Sequence, residues 1–369
     1  MSGRTAEIGV GQVGAGLIGD QHALAFQRVK GARVVAVADP DAARARKLAD
    51  TYGLEAAYDD FRRLLERDDI DVISVGAPNF THRDIVVAAA QAGKHVICEK
   101  PLARTMAEGD EMIAACESAG VKLMYAELIC FAPRYVRAKE LMDEGAFGRV
   151  FQIKHGETHY GPHSDWFWKG ELAGGGVMMD MGCHSVEVIR WLYDKPPIES
   201  VTAELGTFVH GDRTDVEDHA LVTIRFEGNR IGVIEGSWAK PGGMDDRLDI
   251  QGSAGTCHGD MMQQSSLFTY SDVGYGYSVE KGTTTGYSFT IAEEYYNYGM
   301  PQEMQHFIDC LLSGTEPIET GADGRVSLEV VYAAYRSMAE GRRVSFPQEL
   351  TEEEAAAPPY RLWKAPVAP

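Results

Sequence analysis

Residues 8–39 read IGVGQVGAGLIGDQHALAFQRVKGARVVAVAD. Ile8–Val13 is a short apolar run bounded by glycine, the pattern of a buried strand. Gly14-Ala15-Gly16-Leu17-Ile18-Gly19 follows it and opens a helix over Gly19–Arg28. In that setting Gly14 permits the tight turn, Gly16 lets the backbone approach a pyrophosphate, and Gly19 allows close packing of helix on strand. The phosphates then meet the start of the helix at Leu17 and Ile18, where free N–H groups and the dipole favour an anion. Asp39 ends the next strand, Val34–Ala38, where a carboxylate accepts hydrogen bonds from the adenosine ribose and repels a 2′-phosphate. Pro40 and Asp41 follow with no adjacent Arg, so the expected cofactor is NAD rather than NADP. A glycine-rich turn in another kind of α/β protein is the alternative.

Working outward, the first third of the chain keeps alternating. Val72–Val75, His95–Cys98 and Val121–Tyr125 read as strands. Asp41–Tyr52, Phe61–Arg67, His82–Ala92 and Met106–Ala119 read as amphipathic helices. Near-continuous apolar strands separated by helices mean a parallel sheet covered on both faces, a doubly wound α/β domain. Past residue 126 the pattern changes. A helix over Pro133–Glu144 precedes strands Val150–Thr158, Ser200–Phe208, Ala220–Phe226, Arg230–Ser237 and Arg247–Gln251, with Gly228-Asn229 as a hairpin turn. One helix, Met178–Tyr193, interrupts them, and Pro301–Ser313 and Gly324–Glu340 return to helical period. The expected organisation is a nucleotide-binding domain over 1–126, an α+β domain with an antiparallel or mixed sheet over 127–350, and an extended tail over 351–369.

Bulk properties narrow the function. A chain of 369 residues exceeds one ordinary core, which favours two domains. A formal net charge of −20 argues against nucleic acid or an anionic membrane surface as partner. No apolar run reaches membrane-spanning length. The N-terminus has no basic region leading into an apolar stretch, so no signal peptide is expected. The six cysteines are scattered without a C-x-x-C pair, which suits a reducing compartment. A cytoplasmic enzyme is the resulting expectation.

Two further motifs carry chemistry. Cys98-Glu99-Lys100-Pro101 lies just after a strand, at the carboxyl edge where such sheets bind ligands. Glu99 and Lys100 can there meet a nicotinamide ribose and a substrate hydroxyl, or form a solvated charge pair before a turn proline. Gly174-Gly175-Gly176-Val177-Met178-Met179-Asp180-Met181-Gly182-Cys183-His184 begins with a loop of unusual backbone shape or one closely approached by a ligand. Asp180 and His184 follow on one helix face, four residues apart. A histidine titrates near neutrality, and a carboxylate beside it orients the ring and raises its basicity. Taken separately, the two could be a capping aspartate and a satisfied core histidine.

GAGLIG with Asp39, the Glu99-Lys100-Pro101 triplet, and GGGVMMDMGCH in that order and spacing resemble the glucose–fructose oxidoreductase/inositol dehydrogenase/rhizopine catabolism (Gfo/Idh/MocA) family, over about Ile8 to Phe346. The resemblance implies a Rossmann domain, a C-terminal domain with a large open, mostly antiparallel sheet whose flat face builds a homodimer or homotetramer, and a cleft between the two. It also implies roles. Lys100 binds and polarises a reacting hydroxyl, His184 is the general base, and Asp180 supports them in the substrate site. Ala77, Asn79 and His82, in APNFTH, match a strand-end loop near the nicotinamide half of the cofactor. The implied activity is that of an NAD(P)-dependent dehydrogenase acting on a CH–OH group of a sugar, glycoside or cyclitol, with no metal required.

Substrate contacts are expected from the polar and aromatic segment HGETHYGPHSDWFWK, residues 155–169, where His159 and Trp166 can bind hydroxyls and cover an apolar sugar face. The segment can also simply pack on its own tryptophans. His155, His159 and His163 are evenly spaced, but an irregular loop does not gather such ligands, so no metal is expected. Glu127 lies in a stretch resembling the family's R-F-x-P-x-Y segment, with Cys130 where Arg is usual. The tyrosine-rich residues 270–298 suggest a loop over the cleft, an oligomer contact or plain surface packing. Two rival functions remain open: redox-neutral glycoside cleavage with catalytic NAD, and a non-catalytic nucleotide sensor.

Overall fold

A computed structural model describes residues 7–242, 244–262, 267–273, 285–290 and 294–363. Tyr275 and Tyr277 of the tyrosine-rich stretch lie outside the described residues. The chain forms two compact units, residues 1–131 with 299–325, and residues 132–298 with 326–369. The change of unit therefore falls five residues later than 126/127, and 299–325 returns to the first unit. The latter could not be read locally, because a helical period does not say which sheet the helix covers.

In the first unit, strands β1 (Ile8–Val13), β2 (Ala32–Ala38), β3 (Ala56–Tyr58), β4 (Val72–Val75), β5 (His95–Glu99) and β6 (Leu123–Ala126) form one sheet in the order β3-β2-β1-β4-β5-β6. All its pairings are parallel. The order reverses between β1 and β4, which makes the loops after those strands the ligand-binding edge of a doubly wound sheet. β3 has only three residues, all half-buried, too few for a period to register. The expected helix over Phe61–Arg67 is a single turn, Arg62–Leu65. Beyond that turn the Arg67 side chain binds Asp69 and Glu55.

The second unit is built on a seven-stranded sheet. Its members are β7 (Val150–Thr158), β8 (Ile198–Gly206), β9 (His219–Phe226), β10 (Arg230–Ser237), β11 (Asp245–Gly252), β12 (Thr256–Asp260) and, after the separate pair β13 (Leu267–Ser271) and β14 (Gly286–Thr290), β15 (Val344–Ser345). The order is β12-β11-β7-β10-β9-β8-β15; only β7 and β10 run parallel. The β9–β10 turn places Gly228 and Asn229 at φ +78° and +57°, the left-handed backbone that a tight hairpin demands. The helix Cys183–Leu192 packs on β7 and β10. It is entered through a π-helical turn, Met178–Gly182, rather than by a continuous α-helix.

The extended tail is also corrected over residues 351–363; residues 364–369 lie outside the described residues. Thr351 caps a short helix, Glu352–Ala356, through a capping box with Glu354. Pro359–Leu362 forms a 3-10 turn, and Trp363 is buried beside Tyr335. No helix among the described residues is long and apolar enough to cross a membrane.

Candidate active site

In the first unit the glycine-rich turn is built as its spacing requires. Gly14 sits at φ +94°, and a Cβ there would come within 2.2 Å of the Gly76 carbonyl oxygen. A Cβ on Gly19 would lie 2.0 Å from the Gly14 oxygen, so the first turn of the helix Leu17–Phe26 crosses its own approach loop at backbone distance. Gly16 faces open space and caps that helix with no side-chain bond. A bare helix start beside open space is the cradle a pyrophosphate needs. Asp39 is held at the end of β2 by two main-chain donors, Ala15 N–H to Oδ2 at 2.9 Å and Asp41 N–H to Oδ1 at 2.8 Å. Each oxygen keeps a lone pair, and the carboxylate ties the glycine turn to the strand end where a ribose would lie. Arg44, the nearest cation along this segment, is engaged by Asp41 at 3.0 Å. These residues fit NAD.

The loops after β4 and β5 complete the edge. Asn79 begins a 3-10 turn, Asn79–Thr81, and is almost fully buried. His82, expected as a cofactor contact, is engaged within the protein. The ring is wholly buried, with Nε2 2.9 Å from the Ala77 oxygen and Nδ1 3.1 Å from that of Pro101. Burial lowers its pKa against the pull of those carbonyls. His82 therefore braces the loop bearing Ala77 against the loop bearing Lys100.

Glu99 is also more than a surface partner of Lys100. Its Oε1 is 2.8 Å from His22 Nε2, its Oε2 accepts the Lys100 N–H at 3.1 Å, and His22 Nδ1 is 2.8 Å from Ser74 Oγ. His22 and Ser74 were missed in the sequence. A polar residue at a core position of the first helix is the signal that could have found His22. Glu127 and Glu303 are both fully buried in this unit. Burial, then the charges of Glu99 and Glu127, push the Glu303 carboxyl well above the usual carboxylate range.

In the second unit Asp180 and His184 are both buried, at 3% and 4% exposure. Asp180 lies inside the π-turn and His184 in the first turn of the α-helix after it. The Trp238 indole N–H donates to Asp180 Oδ2 at 3.1 Å, a partner on another strand end that no local pattern announces. Gly182 leaves room for the Met178 side chain: a Cβ would lie 2.3 Å from the Met178 sulfur and would force that side chain to move. Single π-turns within helices are frequent at functional sites.

The aromatic segment packs around that tryptophan. Trp168 and Phe167 meet Trp238 edge-on at 5.6 and 6.4 Å, and Trp166 stacks on Phe167 at 3.8 Å. Trp166 is half-buried, so the segment packs on its own rings while leaving part of this one exposed. The three histidines separate. His155 is used in a buried network, Nδ1 to Ser185 Oγ at 2.7 Å and Nε2 3.3 Å from Asp246, which also takes the Tyr135 hydroxyl. His159 and His163 instead face each other at 4.7 Å.

Lys100 and the dinucleotide loops thus belong to the first unit, and Asp180, His184, His159 and Trp166 to the second. Residues 8–127 match the model of an oxidoreductase family with an NAD-binding Rossmann fold, and 135–258 match the GFO/IDH/MocA C-terminal domain. Myo-inositol 2-dehydrogenase of Thermotoga maritima is 30% identical, over 91% of this chain and 97% of its own. scyllo-Inositol 2-dehydrogenase (NAD(+)) of Bacillus subtilis is 29% identical over 90% and 94%. Among solved structures, GenD2 from gentamicin A biosynthesis, in complex with NAD, superposes with a TM-score of 0.86 at 30% identity, covering 94% of this chain and 99% of that one. With the glycine turn, the tethered Asp39 and both domain matches in place, the chain belongs to the Gfo/Idh/MocA family of NAD-dependent oxidoreductases.

Proposed function

We propose that this protein oxidises a secondary hydroxyl of a cyclitol, sugar or glycoside. The observation that carries the reading is the buried pair Asp180 and His184, four residues apart across a π-turn and anchored by Trp238. The activities named for the inositol dehydrogenases above support the substrate class. NAD, when bound, takes up the hydride.

The chain supplies the rest. The Lys100 ammonium binds the hydroxyl oxygen and offsets the negative charge that grows on it as its proton leaves. His184 accepts that proton. Asp180 orients the imidazole and favours its protonated form. Glu127 and His159 bind further hydroxyls, and Trp166 lies against the apolar face of the ring, the arrangement polar-rimmed aromatic pockets use for small ligands. Gly14, Gly16, Leu17, Ile18 and Gly19 hold the pyrophosphate, Asp39 the adenosine ribose, and Ala77, Asn79, Glu99 and Lys100 the nicotinamide half. A homodimer or homotetramer formed through the second sheet completes the reading.

Lys100→Ala and His184→Ala test it together. Each variant loses turnover by roughly 10² to 10⁴-fold while NAD still binds, as measured by fluorescence titration. Unchanged turnover in either would remove that residue from the chemistry, and a chain that binds NAD but turns nothing over even before substitution would be a sensor.

A further inference from the structure

A carboxylate and a phenol from distant parts of the second unit close the start of the helical segment that bears Asp180 and His184. The Glu217 main-chain oxygen accepts the Val177 N–H at 3.1 Å, and its Oε1 accepts that of Met178 at 2.9 Å. Its Oε2 accepts the Tyr335 hydroxyl at 2.5 Å, and the Tyr335 oxygen in turn accepts the Gly176 N–H at 3.0 Å. Three consecutive N–H groups, of the kind a helix start leaves without intrahelical partners, are satisfied in this way. Both side chains are fully buried. A Cβ on Gly176 would come within 2.0 Å of the Glu217 main-chain oxygen and 2.7 Å of Oε2, and one on Gly175 within 2.5 Å of the Tyr335 hydroxyl. Two glycines of the triplet are therefore accounted for by this clamp.

We propose that Glu217 and Tyr335 are positioning residues for the reacting groups: they fix the first residues of the π-turn and so hold Asp180 and His184 in their working orientation. Met178, which Glu217 holds, is two residues from Asp180, and Trp238 holds Asp180 from the other side. The inference rests on the assignment of Asp180 and His184 given above. Neither Glu217 nor Tyr335 touches the reacting atoms, so their effect is on orientation and not on proton transfer itself.

The test combines Glu217→Ala, Glu217→Gln and Tyr335→Phe with amide hydrogen exchange over residues 176–186, NAD affinity, and kcat and KM. In Glu217→Ala, exchange of that segment accelerates about tenfold, as loss of a helix cap implies. kcat falls by about 10- to 100-fold, the scale of a slight misplacement, while NAD affinity holds. Glu217→Gln, whose amide oxygen still accepts the Met178 N–H, recovers most of kcat. If Glu217→Ala does not fold, Tyr335→Phe carries the same test with smaller changes of the same sign. Unchanged exchange in the segment, or a Gln variant as impaired as the Ala variant, would overturn the clamp. Faster exchange with full kcat would overturn the positioning role, whereas full turnover in His184→Ala would overturn the assignment on which it rests.

Discussion

At Asp39 one carboxylate does two jobs. It ties the glycine turn to β2 through the Ala15 N–H, and in the proposed reading it also faces the adenosine ribose and repels a 2′-phosphate. Asp39→Ala therefore raises the KM for NAD by about 10- to 100-fold, the loss of one or two charge-assisted hydrogen bonds. It also narrows the gap between NAD and NADP, which initial rates with the two cofactors measure directly. An unchanged ratio of the two would mean that the ribose is recognised elsewhere. Candidates of this kind can be named from sequence because each motif carries its own chemistry: three spaced glycines, an acid twenty positions on, a lysine at a strand end, a carboxylate and histidine four residues apart. Their tertiary partners cannot. His22, Ser74, Trp238, Glu217 and Tyr335 stand far off in sequence, and hydrophobic periodicity records burial but not what a buried polar atom faces.

At the scale of elements, the segment 178–193 departs most from expectation. Its period predicts one continuous helix, but the structure opens it into a π-turn with Gly182 folded over Met178. The clamp at its start has a pH signature. Burial pushes the Glu217 carboxyl up to about 7, from an ordinary value near 4.5, against the lowering pull of the Tyr335 hydroxyl and the Met178 N–H. Tyr335 is pushed well above its usual range and stays neutral throughout. Because the folded pKa is raised, the folded state holds the proton longer. The contribution is complete below pH 4.5 and is lost as pH rises to about 7, by about 3 kcal/mol at most. Glu217→Gln cannot ionise, so its stability relative to the wild type improves between pH 5 and pH 8 in urea unfolding. A difference that stays constant with pH would contradict the shift.

For the whole molecule, the doubly wound sheet and the following antiparallel sheet were legible because strand spacing and the alternation with helices are local patterns. The return of 299–325 to the first unit and the packed tail were not, since each depends on a distant surface. In the tail, Trp363 is 5% exposed and lies 6.3 Å from the Tyr335 ring, while the Tyr332 hydroxyl donates to the Ala357 oxygen and Arg336 pairs with Glu354 at 2.8 Å. Ala and Pro richness had suggested an extended strand of chain. One buried aromatic ring and a capping box outweigh that composition. Trp363→Ala should cost about 3 kcal/mol in denaturant unfolding, the scale of emptying a large aromatic site. A change under about 0.5 kcal/mol, typical of a surface substitution, would show that the tail is not part of the fold.

The measurement that bears most directly on the whole account is nicotinamide absorbance of the purified protein with NAD and a panel of inositols, aldoses, sugar acids and glucosides, with products identified by mass. NADH formed in equal amount with a ketone lighter than its substrate by two hydrogens is the predicted result. NADH absent with every compound while NAD remains bound, or a glycoside cleaved without net NADH, would contradict it.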